Sequence, residues 1–400
     1  RVSLTINPND AEVLLNYGNA LKNYGDFDHA IKIYAKALKV NPNFAAAQTN
    51  MDNAIEEKSE IDKNVADYAR IAKLEIGSAE IVSFTGTLLK AKGYLDAAID
   101  SYKQAIKIKP DCAEAYLNMG NTLNGKGELD AAIDIYKQAI KINPDSAKAH
   151  YNMGNALKRK GELDGAIDSY TQALKIKPDY AAAYANLADA LQGIKFLRSN
   201  TDLIVVILNL LDQKIHVRPI SIARTIISLI KLDKNFKEVF SNYDTCILQE
   251  NLEEACKALL NIPLLIRIME LCPIPDLEIE NLLTYLRSKI LINISELSKS
   301  QNTLTFQSAL ALQCYNNEYI YFQTDEEIEI IATLDDSVSN NLMNARQPSP
   351  LVLACLASYK PLHEYSWCHL LKLPKELLAL EERQILEFNK ETLIRSKIPI

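Results

Sequence analysis

Proline recurs at Pro8, Pro42, Pro110, Pro144 and Pro178, and every gap is 34 residues or twice that. A fixed period of this length constrains the fold before any single residue is read, because each repeat must be one supersecondary unit that buries its apolar face only by stacking on its neighbours. Ile76 stands where the missing proline would fall, so the phase holds through the gap. Other residues keep the same beat. Gly18, Gly86, Gly120 and Gly154 share one position, and Ala30, Ala98, Ala132 and Ala166 a second. Ala37, Ala105, Ala139 and Ala173 share a third, and Tyr34, Tyr68, Tyr102, Tyr136 and Tyr170 a fourth. Small residues at fixed helical positions let two helices approach closely, with the tyrosine filling the space between them. Each unit therefore reads as a helical hairpin.

The residues of one unit, AEAYLNMGNTLNGKGELDAAIDIYKQAIKINPDS over 113–146, resemble the tetratricopeptide repeat, and the resemblance extends over residues 1–195. It implies an all-α fold: a right-handed superhelical solenoid of five repeats plus a capping helix, followed by a second helical domain over 196–400. Repeats are expected to begin near Ala11, Ala45, Ala79, Ala113 and Ala147, with a capping unit from Ala181 that loses the pattern at Lys195. The second repeat departs most, with Asp52 in place of glycine and Asn64 and Ile71 in place of alanine. Its two helices are expected to pack less closely, changing the local curvature.

In such a hairpin the first helix lines the inner wall, and its sixth and ninth positions share a face because residues three apart are helical neighbours. Those positions hold Asn16 and Asn19, Asn50 and Asn53, Asn118 and Asn121, and Asn152 and Asn155. Asn186 continues the series beside Asp189, and only the third repeat breaks it, with Phe84 and Thr87. A carboxamide offers both a donor and an acceptor, so it pairs with a peptide backbone whatever the peptide's side chains. The alternative is that these asparagines merely record ancestry among duplicated copies. The ladder is similar to the array of the O-linked N-acetylglucosamine transferases, a resemblance that implies capture of extended protein segments. Lys22, Lys158 and Arg159 also face inward by this count and either attract acidic groups or form a solvated helix end. Glu56 and Glu57 stand at the matching places of the second repeat, so no uniform basic clamp runs along the groove.

The formal charge of -7 is uneven, with 24 basic and 25 acidic residues through Lys195 and 20 and 26 after it. Neither half is basic enough for nucleic acid. The longest strongly apolar run, Leu203 to Leu211, is nine residues, against about 20 for a bilayer, so no membrane span is expected. Arg1 opens the sequence without a signal-peptide pattern. Seven cysteines, irregularly spaced and six of them after the repeats, argue for reduced thiols and a cytoplasmic setting.

Beyond about Phe196 long apolar stretches punctuated by prolines read as helices, with Tyr319 to Phe322 the one run suited to a strand. All twelve glycines lie at or before Gly193. A dinucleotide or phosphate loop needs glycine where backbone meets phosphate, so no cofactor is expected in this half. His363, Cys368 and His369 lack a fourth ligand for a metal, and Cys314 reads as a core residue, not a nucleophile. Asp325, Glu326, Glu327 and Glu329 read as a solvated helix start capped by Asp325 or Thr324. Neither catalytic residue nor metal is expected in this chain.

FQSALALQCYNNEYIYFQTDEE (306–327), LACLASYKPLHEYSW (353–367) and the closing LIRSKIPI resemble the helical region that precedes the catalytic domain in bacterial fusions of tetratricopeptide repeats to S-adenosylmethionine-dependent methyltransferases. The resemblance covers about residues 300–400 and implies that a methyltransferase follows Ile400. The chain would then be the recruiting region of a larger enzyme, binding a protein or peptide segment. The alternatives are a free-standing adaptor or the targeting region of an O-linked glycosyltransferase-like enzyme.

Overall fold

A computed structural model describes residues 10–23, 25–74, 78–213, 218–243 and 251–386. Pro8, Ile76, Cys246 and the closing 393–400 segment lie outside them, as do the side chains of Asn64, Tyr68 and Ile71. The described residues form helices and no strand. They divide into two compact units, 1–183 and 184–400.

The first unit is built from hairpins whose first helices begin on the 34-residue beat. They are α1 (Ala11–Asn23) with α2 (Phe27–Val40), the single helix α3 (Ala45–Leu74), α4 (Ala79–Ala91) with α5 (Leu95–Ile108), α6 (Ala113–Lys126) with α7 (Leu129–Ile142), and α8 (Ala147–Lys160) with α9 (Leu163–Ile176). Helix α10 (Ala181–Leu191) begins one repeat further on. In each hairpin the chain reverses at a glycine in the left-handed region: Gly25 at φ 82°, Gly93 at 88°, Gly127 at 87° and Gly161 at 92°. A side chain there is strained. The backbone N–H just past each glycine closes the helix end on the carbonyl five residues back, as in Glu128 to Leu123 at 3.0 Å and Glu162 to Leu157 at 3.0 Å.

The second helix then lays its tyrosine across the glycine of the first. A Cβ on Gly18, Gly86, Gly120 or Gly154 would lie 2.4, 2.8, 2.6 or 2.6 Å from the nearest ring atom of Tyr34, Tyr102, Tyr136 or Tyr170. All four rings are wholly buried, as are Ala30, Ala37, Ala98, Ala105, Ala132, Ala166 and Ala173. Removing one such ring from water contributes about 1.5–3 kcal/mol. Successive repeats are also tied at the surface by Lys126 to Asp96 at 2.6 Å, Lys160 to Asp130 at 2.6 Å, and Lys58 to Asp28, pairs worth about 0–1 kcal/mol each.

The second repeat departs further than its sequence implies: α3 is one uninterrupted helix of 30 residues. Ser59 stands where the other repeats have their left-handed glycine, and Asp52 stands where they have the glycine beneath the tyrosine. The turn thus loses the residue that permits it, and the packing behind the turn loses the space it needs. The turn glycines of the first and third hairpins approach each other. A Cβ on Gly25 would lie 2.1 Å from the Gly93 carbonyl oxygen.

The second unit continues with α11 (Thr201–Asp212), α12 (Pro219–Ile230), α13 (Lys234–Asn242), α14 (Leu252–Leu260), α15 (Pro263–Leu271), α16 (Leu277–Ile292), α17 (Gln301–Asn316), α18 (Asp325–Met343) and α19 (Pro350–Leu356). Pro219, Pro263 and Pro350 each open a helix, where the missing N–H has no partner to lose. Helix α17 is buried on every side from Leu304 to Cys314 apart from Thr305, and it packs on α14, α15 and α19 as the unit's central element.

One buried ionic group organises this unit. Arg287, 1% exposed, lies 3.5 Å from Glu327, 2% exposed, and donates to the Phe322 carbonyl at 2.8 Å. Tyr359 donates to the same carboxylate at 2.5 Å and offers its ring to the guanidinium at 4.3 Å. Glu327 is therefore not solvated, as its acidic neighbourhood suggested. It completes a capping box with Thr324, which draws it under the start of α18. Tyr319 to Phe322 is not a strand. Glu318 and Tyr319 sit in the left-handed region, and the segment leaves Ile320 and Phe322 75% and 80% exposed.

Candidate peptide-binding face

The first helices α1, α3, α6 and α8 bring the inward asparagines into pairs that run between repeats. Asn50 donates its amide N–H to the Asn19 carbonyl at 2.8 Å, and Asn152 donates to Asn121 at 2.7 Å. The same acceptors serve the buried tyrosines: Tyr34 donates to Asn19, Tyr136 to Asn121 and Tyr170 to Asn155, each at 2.8 Å. Each tyrosine lies 15 residues beyond its asparagine, so hairpin closure and carboxamide orientation are one event. Burial raises the Tyr34, Tyr102 and Tyr136 hydroxyls above the usual phenol range. They stay protonated donors at neutral pH.

This arrangement gives the two positions different duties. The ninth position, Asn19, Asn121 and Asn155, spends its oxygen on structure. In the Asn19–Asn50 and Asn121–Asn152 pairs these bonds use the oxygen of the ninth-position amide and one N–H of the sixth, and leave the N–H groups of the ninth-position residue and the carbonyl of the sixth as donors and acceptor. Asn16 and Asn53 are exposed, and Asn118 is half-buried. Asn186 lies in the second unit.

The basic residues are held by the protein itself. Lys22 pairs with Glu57 at 2.7 Å, and the Arg159 guanidinium donates to the backbone and side-chain oxygens of Asn124. Lys158 is half-buried on α8. In the third repeat Thr87 meets the Tyr102 hydroxyl at 3.2 Å, taking over the ninth-position duty, while Phe84 is 63% exposed. The face therefore carries one apolar step among its amides.

The residues that sequence singled out for other chemistry lie in the second unit. Cys314 is wholly buried and its thiol is pushed up to about 12, which removes it as a nucleophile. His363 bonds the Gln384 carbonyl at 2.7 Å. Among the described residues no cluster of His, Cys, Asp and Glu is placed to hold a metal, and no helix is long and apolar enough to cross a membrane.

Family profiles match the same stretch of chain. The TPR repeat profile covers residues 86–127, 120–161 and 154–194, and the tetratricopeptide repeat profile covers 11–44. The first half is a tetratricopeptide-repeat array. Its matched segments leave 45–85 between them, the stretch that contains α3. Among solved structures, the chain is similar to YrrB, described as a TPR protein with an unusual peptide-binding site, at 23% identity over 45% of this chain and 93% of that one, with a TM-score of 0.28. It is similar to MamA at 27% identity over 49% and 94%, with a TM-score of 0.30. A third is the O-GlcNAc transferase of Thermobaculum terrenum, at 24% identity over 34% and 26%, with a TM-score of 0.29. No curated protein matches the chain.

Proposed function

We propose that the tetratricopeptide array is a scaffold that captures an extended segment of another protein along its asparagine face, by the segment's backbone. The Asn19–Asn50 and Asn121–Asn152 pairs carry this reading, because each fixes donors and an acceptor before any ligand arrives. Preorganised donors and acceptors add to affinity mainly by lowering the ordering cost. Neighbouring helices sit about 8–10 Å apart and an extended chain advances about 3.3–3.6 Å per residue, so one rung meets about every third residue. Phe84, exposed among the amides, supplies a contact for one apolar side chain.

The test is selection of binders from a library of short random-sequence peptides on the intact chain, followed by N-methylation of the selected peptide's backbone amides. The reading expects diverse side chains among the binders and loss of binding on N-methylation. Binders sharing a strict side-chain motif, unaffected by N-methylation, would refute it.

The resemblance of residues 306–327 and 353–367 to the region preceding a methyltransferase supports a finer reading: the array recruits substrate protein to a methyltransferase encoded after Ile400. Neither the array nor the second unit supplies the chemistry on this view, and the chain itself takes no cofactor. A stop codon directly after Ile400 would favour a free-standing adaptor.

A further inference from the structure

The uninterrupted helix α3 leaves uncovered the face that a second helix covers in the other hairpins. In the other hairpins the glycine and the leucine three residues after it face the second helix, which buries Leu89, Leu123 and Leu157 to 2%, 4% and 8% exposure. The matching residues of α3 are Asp52, which is exposed, and Ile55, which is 47% exposed. They border a cavity of about 650 Å³ lined by Asp52, Ile55, Glu56, Ser59, Glu60 and Lys63. Asp52, Glu56 and Glu60 stand four residues apart, forming a row of carboxylates along one helix face, with Lys63 the one cation in the lining.

The chain's own sequence does not suit this place. Residues 61–74 belong to α3 itself and do not fold back on it. In the other hairpins the ring of the second helix comes within 2.4–2.8 Å of where even a Cβ would be. Asp52 puts a whole carboxylate there. A second copy of the same face would set carboxylates against Asp52, Glu56 and Glu60 and is opposed by like charge.

We propose that this face of α3 docks a short amphipathic helix of a partner protein, one that sets an apolar residue on Ile55 and a row of lysines or arginines, one turn apart, against Asp52, Glu56 and Glu60. The second helices of the other hairpins are 14 residues long, or about 21 Å at 1.5 Å per residue, which sets the scale of the partner segment. The row of carboxylates selects its charge, and complementary charge acts on partner choice and encounter rate more than on total affinity.

The experiment measures fluorescence anisotropy of two labelled synthetic helical peptides on the intact chain. They have the same length and apolar face, and one carries a lysine stripe and the other a glutamate stripe. The lysine peptide is expected to bind at least about tenfold more tightly, with the difference shrinking as salt shortens the Debye length below about 10 Å. Glu56→Lys with Glu60→Lys should invert the preference, and the milder Glu56→Gln with Glu60→Gln should erase it while leaving the helical circular dichroism unchanged. Asn118→Ala with Asn152→Ala should leave it intact. Equal binding of the two peptides overturns the proposal. So does a crosslink between Asp52→Cys and Tyr68→Cys within one chain, which would show the hairpin closing on itself, or a dimer by light scattering that Ile55→Asp dissolves.

Discussion

Replacing Gly120 by alanine tests the packing rule on which every hairpin depends. The new Cβ would lie 2.6, 2.8 and 3.1 Å from the Cε1, Cδ1 and Cζ atoms of Tyr136, against about 3.5–4.0 Å for relaxed carbon contacts. Tyr136 is wholly buried and its hydroxyl is tied to Asn121, so the ring has nowhere to go. Overpacking of this kind costs about 1–3 kcal/mol, partly offset by the roughly 1 kcal/mol that alanine gains over glycine in a helix. Gly125 lies on the same helix with nothing within 4 Å of its would-be Cβ, so Gly125→Ala keeps the gain without the clash. Urea unfolding should therefore rank Gly125→Ala at or above the parent and Gly120→Ala below it, the two differing by about 1–3 kcal/mol. In a Tyr136→Leu background Gly120→Ala should cost far less than in the parent, a coupling of about 1–3 kcal/mol in the double-mutant cycle. If Gly120→Ala matched Gly125→Ala, the close approach of glycine and tyrosine would be refuted.

Three further outcomes follow from the same structure. Asn121→Ala leaves the buried Tyr136 hydroxyl without its acceptor and is expected to destabilise the array by about 1–3 kcal/mol, whereas Asn118→Ala should be near neutral in thermal unfolding. Ser78, then the backbone N–H of Glu80 itself and then Lys109 hold the Glu80 carboxylate down to about 2, so its contribution is present above the ordinary glutamate range and is lost as pH falls through that range toward 2; Glu80→Gln should flatten that part of the stability–pH curve. Burial pushes the Cys256, Cys272 and Cys314 thiols up to about 12, 11 and 12, and the Cys355 thiol higher still. In a thiol-labelling assay on the native chain these four should react only as fast as it unfolds, while the half-buried Cys112 and Cys368 react directly.

The hairpins were legible because three constraints repeat in phase: a glycine under a tyrosine, alanines at the helix contact, and a proline between units. Helices begin at Ala11, Ala45, Ala79, Ala113, Ala147 and Ala181, on the beat the prolines set. The substitution of Asp52 was also legible, but its consequence was not. Read alone it loosens a contact; together with Ser59 in place of the turn glycine it removes the hairpin. The two asparagine positions look equivalent in sequence, and only their partners separate them: the ninth bonds the tyrosine and the next repeat, and the sixth bonds across to it. Lys22 and Arg159 looked open for the same reason, since Glu57 and Asn124 reach them from other repeats. In the second unit no period exists to read. Arg287, Glu327 and Tyr359 meet across α16, α18 and the chain following α19, and the Thr324–Glu327 capping box was the single local sign of that centre.

The claim that the asparagine face grips a backbone is tested most directly by the affinity of a selected peptide for the parent chain and for Asn118→Ala with Asn152→Ala, measured by calorimetry. Two lost hydrogen bonds at about 0.5–1.5 kcal/mol each predict a Kd higher by about 5-fold to 150-fold, with the N-methylated peptide binding neither protein. An unchanged Kd in the double variant, with its helical content intact, would contradict the account.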